Sequence, residues 1–150
     1  MNLNKDPRYN QGIFRPINKA KFVGSFAIYR SSWEKKFMFW ADKNPNVLEW
    51  SSERVIVPYK SPIDNKIHKY YVDAYVAIKE GDKVKRYLVE IKPFGQTQPP
   101  KPSKRKKPAT VLYEQTQWVV NQAKWAAARE FARKKNAEFI ILTEKELYAS

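Results

Sequence analysis

The feature that most constrains the fold is a pair of β-rich runs separated by one tight turn. Residues 67–78 are rich in Tyr and Val, and residues 85–93 form a second run that ends in Glu-Ile-Lys-Pro. The intervening Glu-Gly-Asp at residues 80–82 is typical of a hairpin turn. Because an isolated hairpin is only marginally stable in water, these strands need a larger sheet. We predict a third strand at residues 54–59, antiparallel to this pair.

A helix is predicted on each side of these strands in the chain. Residues 31–42 begin at serines suited to capping a helix, and their apolar side chains recur at helical spacing. These side chains are Trp33, Phe37, Trp40 and Ala41. A second helix is predicted within residues 110–135, beginning near Tyr113 or Glu114, with one buried face. The members of that face are Trp118, Gln122, Trp125 and Ala132.

The last predicted element is an apolar strand at residues 138–143. Because it follows a helix, we expect a crossover connection to a parallel partner in the same sheet. The predicted order is helix, three antiparallel strands, helix and strand, or αβββαβ. The fold class is therefore mixed α/β, with a small four-stranded mixed sheet flanked by helices.

Two segments differ in composition from the rest of the chain. Residues 1–24 are polar and basic, with two prolines and two glycines, and we predict a basic N-terminal arm. Residues 94–109 are rich in proline and lysine and lack the apolar residues of a core, so we predict a mobile basic loop. The chain of 150 residues is long enough for one hydrophobic core, and we predict a single domain over residues 25–150.

The strong positive charge favours a polyanionic partner. The chain has 29 Lys and Arg against 15 Asp and Glu, a formal net charge of +14. DNA is the expected partner, held through phosphate contacts that do not depend on base sequence. Most candidate DNA contacts lie in the basic loop, and one lies on the second helix. They are Lys101, Lys104, Arg105, Lys106, Lys107 and Lys124.

Other partners and chemistries are excluded by what the sequence lacks. No apolar run approaches the ~20 residues of a membrane span, and no basic helix has a free apolar face, so we expect no membrane partner. The first residues contain no signal-peptide h-region, and we expect an intracellular protein. With no cysteine and the single His68, Cys- and His-rich metal sites are excluded. We expect no small-molecule cofactor.

Acidic residues interrupt both strands of the predicted hairpin. Glu90 and Lys92 share one face of their strand, about 7 Å apart, and Asp73 interrupts the neighbouring strand. A buried carboxylate without a partner costs several kcal/mol, and a divalent cation would compensate both acids together. An internal salt bridge of either acid with Lys92 or another cation is one alternative explanation, and strand positions that face the surface are another. Of three acid-x-Lys triplets in the chain, only this one lies on an apolar strand.

Further polar side chains are candidates for accessory roles. Ser31-x-x-Glu34 fits a capping box, in which Glu34 would accept the backbone N–H of Ser31. Alternatively, Glu34 points at the sheet and completes a metal site through a water. On the second helix, Gln117, Asn121 and Lys124 lie at i, i+4 and i+7, and this common face could meet the site or DNA.

The acids and the lysine, in this order of elements, resemble the motif of the PD-(D/E)xK nuclease superfamily. The residues that carry the motif are Glu34, Asp73, Glu90 and Lys92. The resemblance covers residues 30–143, and Val72 stands where the name of the motif has proline. Residues 26–37 and 87–93 are more specifically similar to the head-completion nucleases of T-even-type bacteriophages. They also resemble transposon-end-cleaving nucleases.

The resemblance implies a restriction-endonuclease-like core and a Mg²⁺-dependent nuclease acting on DNA, with Mn²⁺ able to replace Mg²⁺. By matching position, Asp73, Glu90 and the backbone carbonyl of Ile91 would hold the metal. Lys92 would hold the attacking water, and Glu34 would be the acid on the helix.

The resemblance also implies a place in phage assembly. The expected role is trimming or processing of packaged DNA during head completion, before the head joins the tail. Its expected location is the cytoplasm of the host, with association with the virion as the alternative. Little sequence specificity is expected, and phage head, portal or neck proteins would be partners. Two alternatives stay open. One is a non-enzymatic basic protein that binds DNA at the portal, with its acids in salt bridges, and the other is an endonuclease that cuts transposon ends.

Overall fold

The computed structural model describes residues 11–149, which form eight strands and three α-helices. The strands are β1 (Gly12–Phe14), β2 (Ala27–Tyr29), β3 (Val47–Ser52), β4 (Ile56–Lys60), β5 (Ile67–Tyr71), β6 (Ala74–Glu80), β7 (Lys83–Ile91) and β8 (Glu138–Leu142). The helices are α1 (Ser32–Lys43), α2 (Pro108–Lys134) and α3 (Glu144–Leu147). None of the described helices is both long and apolar enough to cross a membrane.

The core is a four-stranded mixed sheet with the strand order β3-β6-β7-β8. Strand β6 pairs antiparallel with β3 and β7, and β8 lies parallel to β7 after the crossover through α2. In the central pair, Ala74 lies opposite Val89 and Tyr75 lies opposite Leu88. The sheet and its flanking helices confirm the predicted mixed α/β class and the order αβββαβ of the core.

A separate hydrophobic core fills each face of this sheet. The core beneath α1 includes Phe37, Met38, Trp50, Val76 and Val89. The core beneath α2 includes Val72, Leu88, Trp125, Ala128 and Phe139. Because side chains alternate along β7, Val89 faces α1, whereas Leu88 and Glu90 face α2. The candidate acid Glu90 therefore lies on the α2 side of the sheet.

The predicted strand at residues 67–78 is divided by a bend at Asp73. The part before the bend, β5, pairs with β4 in a separate two-stranded sheet, and the part after it, β6, enters the core sheet. The prediction of residues 54–59 as the first core strand is therefore wrong. The first strand of the core sheet is instead β3. Its buried positions do not alternate, and it ends in two serines, so it lacks the sequence pattern of a half-buried strand.

The described part of the predicted N-terminal arm, residues 11–24, packs on the domain. Strand β1 pairs with β2, and Phe14 and Phe22 are buried against Trp50 with ring centroids 5.8 and 4.6 Å away. The prediction of an arm is therefore wrong for residues 11–24, because two aromatic side chains anchor them in the α1 core. Residues 1–10 lie outside the described residues.

Helix α2 begins at Pro108, earlier than the sequence predicted, and proline suits the first helical position because its missing N–H would have no partner there. Its buried residues are Asn121, Trp125, Ala128 and Ala132. Gln122, which the sequence placed on the buried face, is exposed. The basic residues 98–107 before the helix form neither helix nor strand, and their mobility stays a prediction.

Candidate active site at the bend before β6

The bend between β5 and β6 places Asp73 beside the end of β7. Its backbone carbonyl accepts the N–H of Glu53 at 3.1 Å, and its carboxylate Oδ2 accepts the N–H of Ile91 at 2.7 Å. The preceding Val72 is fully buried, and its N–H donates to the carbonyl of Val55 at 3.0 Å. Both the backbone and the side chain of Asp73 are therefore held in place.

Glu90 and Lys92 lie on the strand next to Asp73. Continuing the pairing of Ala74 with Val89 by one residue puts Asp73 opposite Glu90. Glu90 is only 6% exposed; its Oε1 accepts the hydroxyl of Tyr70 at 2.6 Å. Its Oε2 lies 3.2 Å from Nζ of Lys92. The structure thus brings together the two acids and the lysine that the sequence singled out.

The carboxyl group of Asp73 lies in surroundings that oppose its negative charge. Burial raises its pKa well above the ordinary value, and the neighbouring carboxylates of Glu90 and Glu34 raise it further. The hydrogen bond from the Ile91 N–H acts in the opposite direction and does not offset them. A cation placed between the two acids would remove this electrostatic cost.

An internal salt bridge explains only part of this arrangement. Lys92 pairs with Glu90, as the alternative requires. Among the described residues, however, no Lys, Arg or His lies within 4.0 Å of the Asp73 carboxylate. The ion pair therefore accounts for Glu90 and leaves Asp73 without a counter-ion of its own.

Glu34 combines a helix cap with a position near Asp73. The Ser31 Oγ accepts the N–H of Glu34 at 3.2 Å and donates to its Oε2 at 3.3 Å. The other oxygen of Glu34 accepts the backbone N–H of Arg30 at 3.4 Å, not that of Ser31 as the capping-box prediction had it. Burial raises the pKa of Glu34, and its charge in turn raises the pKa of Asp73. The cap and the electrostatic contact with the site therefore coexist.

Helix α2 contributes a lysine close to these acids. Lys124 is half-buried, and its Nζ lies 5.5 Å from the ring centre of Tyr70 and 5.8 Å from that of Tyr59. Burial lowers the pKa of Lys124, whereas the charges of Glu90 and Asp73 raise it. On the same helix Asn121 is buried and Gln117 is exposed.

The cations of the basic loop differ in their availability. Lys101, Lys104, Arg105 and Lys107 are exposed. Lys106 instead pairs with Glu114 of α2 at 2.8 Å, and it also donates to the carbonyl of Lys101 at 3.1 Å. The ion pair of Lys106 ties the loop to the first turns of the helix, so four of the five predicted loop contacts present free cations.

Tyr70, Arg30 and Glu53 are neighbours of the site that the sequence prediction missed. Unbroken strand alternation would place Tyr71, not Tyr70, on the face of Asp73, but the bend shifts the phase and leaves Tyr71 51% exposed. Arg30 makes two hydrogen bonds to Glu53, at 2.8 and 3.1 Å, and the Glu53 backbone holds Asp73. No local sequence pattern marks the Arg30–Glu53 contact, because the partners are far apart in the chain.

The donor chemistry of the site fits a hard divalent cation. Residues 11–149 contain no group of three or more His, Cys, Asp and Glu side chains arranged for a metal. Mg²⁺, however, usually takes only one or two carboxylates from a protein and completes its shell with water and substrate phosphate. Asp73 and Glu90 supply two carboxylates, of which Glu90 is buried and Asp73 is half-buried, and the backbone at Ile91 lies directly beside them. This set contains oxygen donors alone, as Mg²⁺ and Mn²⁺ prefer.

Two comparisons with known proteins identify endonucleases and nucleases as relatives of this chain. Residues 44–144 match the family model described as "TnsA-like endonuclease N terminal". Over 143 residues the chain is 38% identical to the head completion nuclease of Enterobacteria phage T4, covering 92% of this chain and 93% of that protein. The match to the family model spans the bend, β7 and α2, so it includes Asp73, Glu90, Lys92 and Lys124. The chain therefore belongs to the TnsA-like endonuclease family.

Proposed function

We propose that this protein is a Mg²⁺-dependent nuclease that hydrolyses DNA phosphodiester bonds at the bend between β5 and β6. The observation that carries the proposal is the juxtaposition of Asp73 and Glu90, with Lys92 3.2 Å from Glu90, in a chain of this endonuclease family. Asp73 lacks a counter-ion among the described residues, and a divalent cation would supply it.

The chemistry assigns a separate role to each group. Asp73, Glu90 and the Ile91 carbonyl would hold the metal, with Mn²⁺ able to replace Mg²⁺. The bound ion would polarise the scissile phosphate and lower the pKa of a water. Lys92 orients that water and stabilises the negative charge that develops on the phosphoryl oxygens. Glu34 contributes negative charge from the start of α1 while it caps the helix.

DNA binding in this proposal rests on charge more than on base recognition. The net charge of +14 and the exposed cations of the basic loop favour phosphate contacts, which carry no sequence information. We therefore expect weak sequence preference and strong dependence of affinity on salt.

The biological setting follows from the relative in phage T4, which is a head completion nuclease and matches nearly the whole chain. We propose that this protein also acts in head completion, on packaged DNA inside the host cell, beside head, portal or neck proteins. The family model also favours a second candidate, cleavage at transposon ends. That activity requires selection of particular DNA ends, so a preference for fixed end sequences would support it.

Cleavage of supercoiled plasmid with Mg²⁺ or Mn²⁺ tests the proposal. Wild type should nick or linearise the plasmid, whereas Asp73→Asn and Lys92→Met should lose at least about 100-fold in rate. Asp82→Asn and Lys85→Met are matched controls, because both residues are exposed on the same hairpin and neither lies at the site. Both control variants should cleave at the wild-type rate.

Two other outcomes would contradict either the assigned site or the proposed nuclease activity. Equal cleavage by wild type, Asp73→Asn and Lys92→Met would place the active site elsewhere. A folded wild type that binds DNA in a salt-sensitive way, but does not cleave it with any divalent metal tested, would instead support the non-enzymatic, DNA-organising alternative.

A further inference from the structure

Lys124 of α2 is a cation near the site without an anionic partner. No Asp or Glu lies within 4.0 Å of its Nζ among the described residues, and its ammonium group makes no hydrogen bond there. The side chain is nevertheless half-buried, so water does not fully compensate the charge. A partly buried ammonium group with three free N–H donors is suited to an anionic ligand.

The other lysines around the site differ from Lys124 in this respect. Lys92 is paired with Glu90 at 3.2 Å, and Lys106 is paired with Glu114 at 2.8 Å. Among the described residues, Lys124 has ring contacts with Tyr59 and Tyr70, which stabilise a cation but leave its donors open. Of these three lysines, Lys124 is the one whose ammonium group pairs with no carboxylate.

Two tyrosines determine where this ammonium group lies. Tyr70 donates its hydroxyl to Glu90 at 2.6 Å and presents its ring to Lys124. Tyr59 is buried on the paired strand β4 and presents a second ring. Tyr70 therefore contacts both the Glu90 carboxylate and the Lys124 ammonium group, which couples the positions of these two groups.

A second polar side chain on α2 also lacks a protein partner. Asn121 lies one turn before Lys124, is only 7% exposed, and makes no side-chain hydrogen bond within residues 11–149. Its amide atoms remain reachable from solvent, because the fully buried polar side-chain atoms without a partner in the described residues belong to Trp50 and Trp125. Asn121 and Lys124 thus present unused donors on one side of the helix.

We propose that Lys124, held between Tyr59 and Tyr70, binds a non-bridging oxygen of the DNA phosphate that occupies the active site. The inference rests on the proposed nuclease function, because the anion that would meet Lys124 is the scissile phosphate bound at Asp73, Glu90 and Lys92. Lys124 is then a second catalytic cation, on the α2 side of the phosphate, and Tyr70 is a positioning residue for both Lys124 and Glu90.

Single-turnover cleavage and DNA affinity, measured separately, test this assignment. Lys124→Met should lower the cleavage rate at saturating DNA by about 100-fold, as loss of one transition-state donor does. DNA affinity in EDTA should fall less, and the slope of log affinity against log salt should decrease by about 1. Lys124→Arg should recover part of the rate, because it restores a cation with N–H donors.

The matched control is Lys134→Met, on the exposed last turn of the same helix. It should match wild type in cleavage rate at saturating DNA. Tyr70→Phe keeps the ring but removes the hydroxyl, so it should lower the rate without changing the salt slope. A wild-type rate for a folded Lys124→Met variant would overturn the proposal.

A measurement on the wild-type chain removes dependence on the folding of any variant. Acetylation of lysines with and without a short DNA duplex, read by mass spectrometry, should show Lys124 protected by DNA and Lys134 much less so. Absence of protection at Lys124 would refute the contact. Protection without cleavage by wild type would preserve the phosphate contact and reject the nuclease function, so the two failures are distinguishable.

Discussion

Two acidic sites in this molecule differ in how far the surrounding chain compensates their negative charge. Asp42, at the end of α1, is fully buried, and its two carboxylate oxygens accept the N–H groups of Ile17 and Asn18 at 3.1 Å each. The side-chain amide of Asn18 donates in return to the Asp42 carbonyl at 2.7 Å. This carboxylate obtains its hydrogen bonds from the chain itself and fastens the N-terminal segment to the helix.

The acids at the bend before β6 lack such compensation. Asp73 receives one N–H, from Ile91, and faces the carboxylates of Glu90 and Glu34. The folded chain therefore supplies hydrogen bonds to Asp42 and additional negative charge to Asp73. A buried acid with its donors nearby is explained by structure, whereas an acid such as Asp73, whose pKa burial and neighbouring carboxylates raise, calls for a ligand from outside.

The largest expected difference between the two sites is in activity. Asp73→Asn should reduce Mg²⁺-dependent cleavage by about 1000-fold, because the residue would hold the metal. Asp42→Asn should leave the rate per folded molecule within about 3-fold of wild type. Single-turnover cleavage of a labelled duplex measures both variants. Equal losses in both would abolish the distinction between a structural and a functional acid.

Stability should respond in the opposite order. Asp42→Ala leaves two backbone N–H groups without an acceptor and should lower the free energy of unfolding by about 3 kcal/mol. Asp73→Asn removes a charge that its neighbours oppose, so it should leave stability in EDTA unchanged or raised. Urea unfolding followed by tryptophan fluorescence measures both effects. A strongly destabilised Asp73→Asn variant would favour a structural role for that acid.

Metal binding should stabilise the protein through one acidic site only. At a Mn²⁺ concentration 100 times the dissociation constant, stabilisation of about 2.7 kcal/mol is expected. Thermal unfolding of wild type and Asp42→Asn should shift upward by roughly 5–10 °C on addition of Mn²⁺. Asp73→Asn and Glu90→Gln should show little shift. The same shift in all four proteins would indicate metal binding at another place.

The smallest effect concerns pH in the absence of metal. The raised pKa of Asp73 means that the folded state binds a proton more tightly than the unfolded state. The stability contribution of this group is therefore complete only below the ordinary Asp pKa of 3.8 and is lost as the pH rises through the raised pKa of the folded state. Asp73→Asn cannot lose that contribution, so its stability relative to wild type should increase from pH 4 to pH 8. A constant difference in urea midpoint would contradict the assigned direction of the pKa shift.

The sequence was sufficient to predict the order of the core elements and the acids of the site. Helical spacing located α1, the Glu-Gly-Asp turn located the β6–β7 hairpin, and acids in apolar strands identified Asp73 and Glu90. These features are local, so periodicity and charge within a few residues reveal them. The metal role of Asp73 and Glu90 is still a proposal that the experiments above test.

The errors of sequence prediction arise where tertiary contacts determine the local structure. The bend at Asp73 depends on β5 leaving the core sheet to pair with β4, and it moves Tyr70 into the site in place of Tyr71. The anchoring of residues 11–24 depends on Phe14 and Phe22 reaching Trp50 across the fold. No local pattern contains the contacts with Trp50, because Phe14 and Phe22 lie 36 and 28 residues before it in the chain.

Helix α2 shows a finer limit of the same kind. A helix of 27 residues with polar groups on every side permits more than one buried face. The sequence favoured Gln122, whereas the fold buries Asn121 and turns Lys124 toward the acids. The choice depends on the position of the β4–β5 sheet beneath the helix, which composition alone does not reveal.

The most direct test of the central claim is anomalous diffraction from crystals soaked in Mn²⁺. The account predicts an anomalous peak between the carboxylates of Asp73 and Glu90, and no such peak in Asp73→Asn crystals soaked in the same way. A wild-type crystal with Mn²⁺ bound elsewhere, and with Glu90 still paired only to Lys92, would contradict the claim that these acids form a metal-dependent active site.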